Sequence, residues 1–269
     1  MSGTAHAPEK KGVPLLAVCE LAFARGQRTI FEGLSFEARA GEVTVLLGPN
    51  GVGKSTLIGS IAGIGRVASG VVLLDGRPIG DLSRRARSQS VALLTQEAPD
   101  ELPYTVRELV LLGRAPHQGP LGIAGQHDLE IVDEVLAETS LTGLEGRLVR
   151  ELSGGERRRA FLAQALAQQP RVLLLDEPTA FLDLRFQFLF WEIVKRRVAK
   201  GLCVIAVLHD PNLAAQWADQ VVLMPRVGAC RVGSIEAMLT LENLESLYEA
   251  QLQQAGDGAM GERFFALRA

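Results

Sequence analysis

The chain has 269 residues, 47% of them apolar and 22% charged, enough to bury a sizeable core and to exclude wholesale disorder. Its 28 Lys and Arg stand against 31 Asp and Glu, a formal charge of −3 that argues against a dedicated nucleic-acid binder. No apolar run reaches the roughly 18 residues of a membrane span, and the opening MSGTAHAPEKKGVP lacks the apolar core of a secretory signal, so the expected location is the cytosol.

Residues 1–13 read as a flexible tail. From 15 to 42, short apolar alternation broken by Gly26, Gly33 and Gly41 predicts a small antiparallel sheet. The run Val43-Thr44-Val45-Leu46-Leu47 reads as a buried strand entering a glycine-rich turn, with helical spacing over 56–62 and a further β segment over 70–75. Past the apolar Val91-Ala92-Leu93-Leu94 come four prolines, Pro99, Pro103, Pro116 and Pro120, and helical stretches near 106–112 and 128–138. In the second stretch Leu129, Val132, Val135 and Leu136 share one face, so the block at about 97–152 reads as a helical insertion into an α/β core. A helix over 156–169 is stopped by Pro170, then strand-length apolar runs at 172–175 and 202–208 flank a helix over 184–200 that ends at Gly201. Strands separated by helices imply a parallel sheet covered on both faces. The chain is helical again after about 241.

Other features read as structural. Phe186, Phe188, Phe190 and Trp191 fit packing beside a buried strand, and Arg157-Arg158-Arg159 a solvated helix face. Cys19, Cys203 and Cys230 are far apart with no C-x-x-C pair, which suits inert thiols in a reduced compartment. The four histidines lack metal-ligand spacing.

Gly48-Pro49-Asn50-Gly51-Val52-Gly53-Lys54-Ser55 fits G-x-x-x-x-G-K-[ST], and Thr56 continues into the helix. Glycines let the backbone wrap a phosphate with successive N–H groups pointing inward, while the helix aims its positive end at the same anion. Lys54 then reaches the β- and γ-phosphates of a nucleotide and the Ser55 hydroxyl ligates Mg²⁺. Asp176, at the carboxyl end of the 172–175 strand, is placed to hold Mg²⁺ through water. Glu177 beside it is placed to polarise a water attacking the γ-phosphate.

Leu152-Ser153-Gly154-Gly155-Glu156, in order with the phosphate loop, with Leu173-Leu174-Leu175-Asp176-Glu177-Pro178 and with His209, resembles the ATPase subunits of ABC transporters. The resemblance runs from about residue 15 to about 247 and implies an α/β P-loop NTPase core with an antiparallel β subdomain, all within one domain over 14–269. It implies a head-to-tail dimer in which Ser153, Gly154, Gly155 and Glu156 of one copy cover the ATP held by the other. Gln96 matches the family's Q-loop glutamine, a contact to Mg²⁺ and the attacking water. His209 matches the switch histidine at the γ-phosphate, and Asp183 the D-loop aspartate at the dimer interface. Two positions depart from the pattern. Where an aromatic ring usually stacks on adenine, the chain offers Arg25, whose guanidinium can also stack, with Phe23 the other candidate. Phe181 stands where the D-loop usually has Ser or His.

Residues 105–117, TVRELVLLGRAPH, resemble the branch that imports ferric siderophores, haem and cobalamin. So do the stretches around Asp183 and His209. That branch implies transmembrane permease subunits, a periplasmic binding protein acting through them, and a peripheral place on the cytoplasmic face of the plasma membrane. The groove near 96–117, with Glu101 and Arg114 as exposed charges, is expected to receive a short permease helix. A soluble scaffold in iron–sulfur cluster assembly and a haem exporter of cytochrome c maturation are the alternatives.

Overall fold

In the computed structural model, which describes residues 13–25, 28–65, 67–96, 102–180, 182–255 and 264–267, the chain opens with an antiparallel pair. These strands are β1 (Leu16–Arg25) and β2 (Arg28–Ala38), followed by β3 (Val43–Leu47) and α1 (Lys54–Ile61). Next come β4 (Ser69–Leu74), the two-residue β5 (Arg77–Pro78), α2 (Arg84–Ser90) and β6 (Val91–Leu94). Three helices follow: α3 (Val106–Leu112), α4 (Gln126–Glu138) and α5 (Gly154–Ala167). The chain then alternates through β7 (Val172–Asp176), α6 (Leu184–Val198), β8 (Cys203–Val207), α7 (Pro211–Trp217), β9 (Gln220–Leu223) and β10 (Arg231–Gly233). It ends with α8 (Ile235–Met238), α9 (Leu241–Tyr248) and a ribbon of β11 (Leu252–Ala255) and β12 (Phe264–Leu267). The tail to residue 12, Gly26, Pro99, Glu101, Phe181 and the Arg25 side chain lie outside the described residues.

One sheet organises the rest. Its order is β10-β9-β3-β8-β7-β6, parallel from β9 to β6, with β10 antiparallel at the edge. Every residue of β3, β7 and β8 is buried, so both faces need cover, and successive side chains supply it alternately. Val45, Leu47, Leu173, Leu175, Val204 and Ala206 point into a core shared with α3 to α6. Leu46, Leu174, Ile205 and Val207 point the other way, onto α1 and the antiparallel sheet β2-β1-β4-β5. The antiparallel sheet and the helical block were both expected. The short β9 and α7 were not.

Within the helical block α3 starts from a capping box: Thr105 N donates to Glu108 Oε2 (2.8 Å) and Glu108 N donates to Thr105 Oγ1 (3.3 Å). The buried stripe of α4 is Ile131, Val132, Val135 and Leu136. Leu129, expected there, lies in the first turn at the edge of the stripe and is only half-buried.

Three expectations about surfaces are corrected. The arginine run on α5 is not a solvated face, because Arg158 and Arg159 are buried. Arg158 is turned onto backbone carbonyls, and the Arg159 guanidinium lies 5.4 Å from the centre of the Phe186 ring. Of the α6 aromatics, Phe190 and Trp191 are core, whereas Phe188 is 54% exposed with its ring tilted against Trp217. Arg114 is not an exposed charge of the groove but is 3% exposed. Its Nε donates to Asp128 Oδ1 (2.9 Å) and its Nη1 to Ala167 O (2.7 Å) and Gln169 Oε1 (3.0 Å), so one guanidinium joins the start of α4 to the end of α5. Leucine at position 114 strands these acceptors. Arg114→Leu is therefore expected to lose about 3 kcal/mol in urea unfolding, and an unchanged midpoint would show that the cluster contributes nothing.

Candidate functional site

The carboxyl ends of β3, β7, β8 and β6 lie along one edge of the sheet, which is where an open parallel sheet gathers its loops. The loop leaving β3 turns into α1 through Gly53, at φ +96°. A Cβ there would lie 2.6 Å from Ile30 Cγ2, so only glycine keeps both the turn and the wall behind it. As the N-cap, Gly53 has no side chain to occupy the first-turn amides of α1, which remain available to an anion.

Lys54 is buried, and its Nζ donates to Gly48 O (2.7 Å) and Pro49 O (2.9 Å). Burial pulls its pKa below the usual lysine range, while the carboxylates of Glu177 and Asp176 oppose the shift. Ser55 Oγ donates to Asp176 Oδ1 (3.1 Å), linking the α1 start to the end of β7 across β8. Burial also holds the Asp176 carboxyl above its ordinary range. Ser55's hydrogen bond and the neighbouring Lys54 and His209 pull it back, and Glu177 adds to the rise. Glu177 sits at φ +46°, a left-handed conformation that costs about 1–3 kcal/mol for a residue with a side chain. From there Glu177 Oε1 meets Nε2 of His209, at the end of β8.

Lys54, Ser55, Glu177 and His209 line a cavity of about 410 Å³. Asn50, Gly51, Gly53, Lys54, Ser55 and Thr56 line it from the phosphate loop and α1, Gln96, Glu177 and His209 from beyond the ends of β6, β7 and β8, and Phe23 with Ile30 from the first hairpin. The Phe23 ring stacks on Phe31 at 6.3 Å between centroids. Gly48 and Pro49 contribute carbonyls to Lys54, and Val52 packs into the core. Backbone pairing places Arg25 opposite Arg28 at the tip of the first hairpin.

The remaining expected residues lie elsewhere. Ser153 caps α5 in a capping box: its amide donates to Glu156 Oε2 (2.9 Å) and its Oγ accepts from Glu156 N (3.4 Å). Gly154 is exposed, and a Cβ on Gly155 would meet the Phe186 ring at 2.6 Å. Asp183 caps α6 by accepting from Phe186 N (3.0 Å). None of these residues lines the cavity of the same chain; Ser153, Gly154 and Asp183 are exposed, Glu156 is half-buried and Gly155 is buried. Three contributors had no sequence signal: Ile30 in the lining, Tyr248, whose hydroxyl donates to His209 O (3.1 Å), and Arg158.

The donor set suits a nucleoside triphosphate. It offers a buried ammonium, a hydroxyl and uncapped amides to phosphate, and a flat apolar residue, Phe23, in the same lining. A hydroxyl beside a carboxylate is a pair of hard oxygen ligands.

Fold and site thus define a phosphate-cradle ATPase. The chain belongs to the ABC transporter family, as an ATP-binding subunit that hydrolyses ATP; the family described as "ABC transporter" matches residues 31–180. Among its relatives, the hemin import ATP-binding protein HmuV of Streptomyces coelicolor is 45% identical over 217 residues, covering 81% of this chain and 77% of the relative. The petrobactin import ATP-binding protein FpuC of Bacillus anthracis is 39% identical over 235 residues, covering 87% and 86%. A solved metal-chelate type ABC transporter in an inward-facing conformation superposes with TM-score 0.83 at 28% identity, covering 96% of this chain and 98% of that one.

Proposed function

We propose that this chain drives an importer of metal chelates, in the class of ferric siderophores, haem and cobalamin. The observation that carries the reading is one cavity lined by Lys54, Ser55, Glu177 and His209, with Asp176 hydrogen-bonded to Ser55, in a chain whose relatives are named for hemin and petrobactin import. Those names favour import over the cluster-assembly scaffold and the haem exporter.

Lys54 neutralises the β- and γ-phosphates and the α1 amides cradle them. Ser55, Asp176 and Gln96 are the residues that would hold Mg²⁺, which when bound neutralises charge on the phosphates. Glu177 accepts the proton of the attacking water, and His209, in contact with it, donates to the γ-phosphate. Phe23 supports the adenine ring, since it lines the same cavity as the phosphate loop.

Ser153, Gly154, Gly155, Glu156 and Asp183 are absent from the lining of the chain's own cavity, and Ser153, Gly154 and Asp183 are exposed, which suits a head-to-tail pair of identical chains completing two sites. The helical block at about 97–152 belongs to the same functional unit as the rest of 14–269, because α3, α4 and α5 share the core of the parallel sheet. A second cavity of about 370 Å³, bounded by Leu93, Leu94, Leu112, Pro116, Phe161 and Gln168, adjoins Thr95 and hence Gln96. We assign it to a short cytoplasmic helix of the permease. No helix among the described residues is long and apolar enough to cross a membrane, so attachment to the cytoplasmic face runs through that partner. A periplasmic binding protein acts only through the permease, and no nucleic acid is a partner.

Two measurements test this reading. Glu177→Gln is expected to bind ATP but to hydrolyse it at least about a hundredfold more slowly, and to elute as an ATP-held dimer on gel filtration. Normal turnover would remove Glu177 from the role of base. A cysteine at Leu112, which is 44% exposed beside the second cavity, should cross-link to a cytoplasmic loop of the permease encoded with it. Cross-linking to a cluster-assembly protein instead would replace transport with the scaffold reading.

A further inference from the structure

Besides its exposed start, α5 carries a second device one and a half turns on. Arg158 is 7% exposed, and its guanidinium meets carbonyls from two separate loops. Nε donates to Pro178 O (2.6 Å). Nη1 donates to Thr95 O (2.6 Å) and Gln96 O (3.2 Å), and Nη2 to Glu177 O (3.3 Å) and Asp176 O (3.4 Å). Among the described residues it forms no side-chain ion pair; the Asp176 carboxylate opposes the pull of burial, which brings its pKa down to about 10. At neutral pH the side chain is therefore a buried cation whose compensation comes largely from backbone oxygen. Such a group is costly to bury where volume alone is needed. A planar fork of five N–H donors can hold two strands of carbonyls at a fixed separation, which a point charge or a neutral amide cannot.

What it holds is the immediate setting of hydrolysis. One group of carbonyls precedes and includes Gln96, the other runs through Asp176, Glu177 and Pro178. Glu177 is the residue kept at φ +46° just ahead of a proline, a conformation that persists only where its surroundings fix it. Arg158 lies five residues from Ser153, about 7 Å along the helix axis.

We propose that Arg158 is a positioning residue for ATP hydrolysis: it sets the distance between Gln96 and Glu177 and locks both to the helix whose start is Ser153, Gly154 and Gly155. A shift of α5 on engaging a second copy is then felt at both residues together. The proposal rests on the roles assigned above to Gln96 and Glu177.

The test uses Arg158→Lys and Arg158→Gln in the full chain, with steady-state hydrolysis, binding of a fluorescent ATP analogue, amide hydrogen exchange and thermal melting. In both variants kcat is expected to fall at least about tenfold while analogue affinity stays within about twofold, the split expected when geometry rather than binding is lost. The amides of Gln96, Glu177 and Thr179 should exchange faster without nucleotide, while the interior of α5 keeps its protection. Wild-type kcat in either variant, or a loss of kcat explained entirely by a smaller folded fraction, would overturn the proposal. So would unchanged exchange at the three amides. Slow turnover in Glu177→Gln beside normal turnover in Arg158→Lys would sink the positioning role alone, whereas normal turnover in Glu177→Gln would remove the base role that the positioning serves.

Discussion

Parallel pairing of β3, β8 and β7 is the constraint on which the site depends. With Leu46 opposite Val207 and Val207 opposite Asp176, the three strands finish level, and their next residues begin the phosphate loop, the His209 turn and the Asp176–Glu177 turn. Neighbouring strands stand about 4.8 Å apart, so β3 and β7 are separated by about 10 Å, a span that Ser55 and Asp176 close with one hydrogen bond. The ladder continues one step into the turn, where Glu177 N donates to Val207 O (3.2 Å). Complete burial of these strands makes their register insensitive to solvent, since a slip of one residue would exchange the side chains facing the two cores.

From that edge the chemistry divides between two places. Lys54, Ser55, Glu177 and His209 converge on one cavity, whereas Ser153 and Gly154 at the start of α5 and Asp183 are exposed outside its lining. Arg158 connects them physically, because the helix that displays Ser153 also grips the backbone of Gln96 and Glu177. Arg114 plays a comparable part at the other end of α5, where it fixes the helical block that borders the second cavity.

Much of this was legible in the sequence because it is local. Buried strands announce themselves as apolar runs, and the phosphate loop as glycines at fixed spacing. What the sequence hid is contact at long range. Three arginines in a row look like surface until carbonyls from up to 63 residues away turn toward one of them. Arg114 looks free for the same reason, its acceptors lying 14 to 55 residues on. The four-residue β9 carries too short a pattern to stand out, and the contact of Tyr248 with the His209 backbone joins segments 39 residues apart. The first hairpin shows the limit differently: position pointed to Arg25, with Phe23 the other candidate, and only the cavity shows Phe23 among its lining residues.

The central claim is that each chain carries one half of two composite sites. Mixing tests it most directly. A Lys54→Ala chain has a damaged cradle and an intact α5 start, and a Ser153→Arg chain has the reverse. Each should be nearly inactive alone. In a head-to-tail pair of the two, the intact cradle meets the intact α5 start at one of the two sites, so the mixture should regain ATP hydrolysis. A mixture as inactive as its components, with the two chains shown to associate, would contradict the claim.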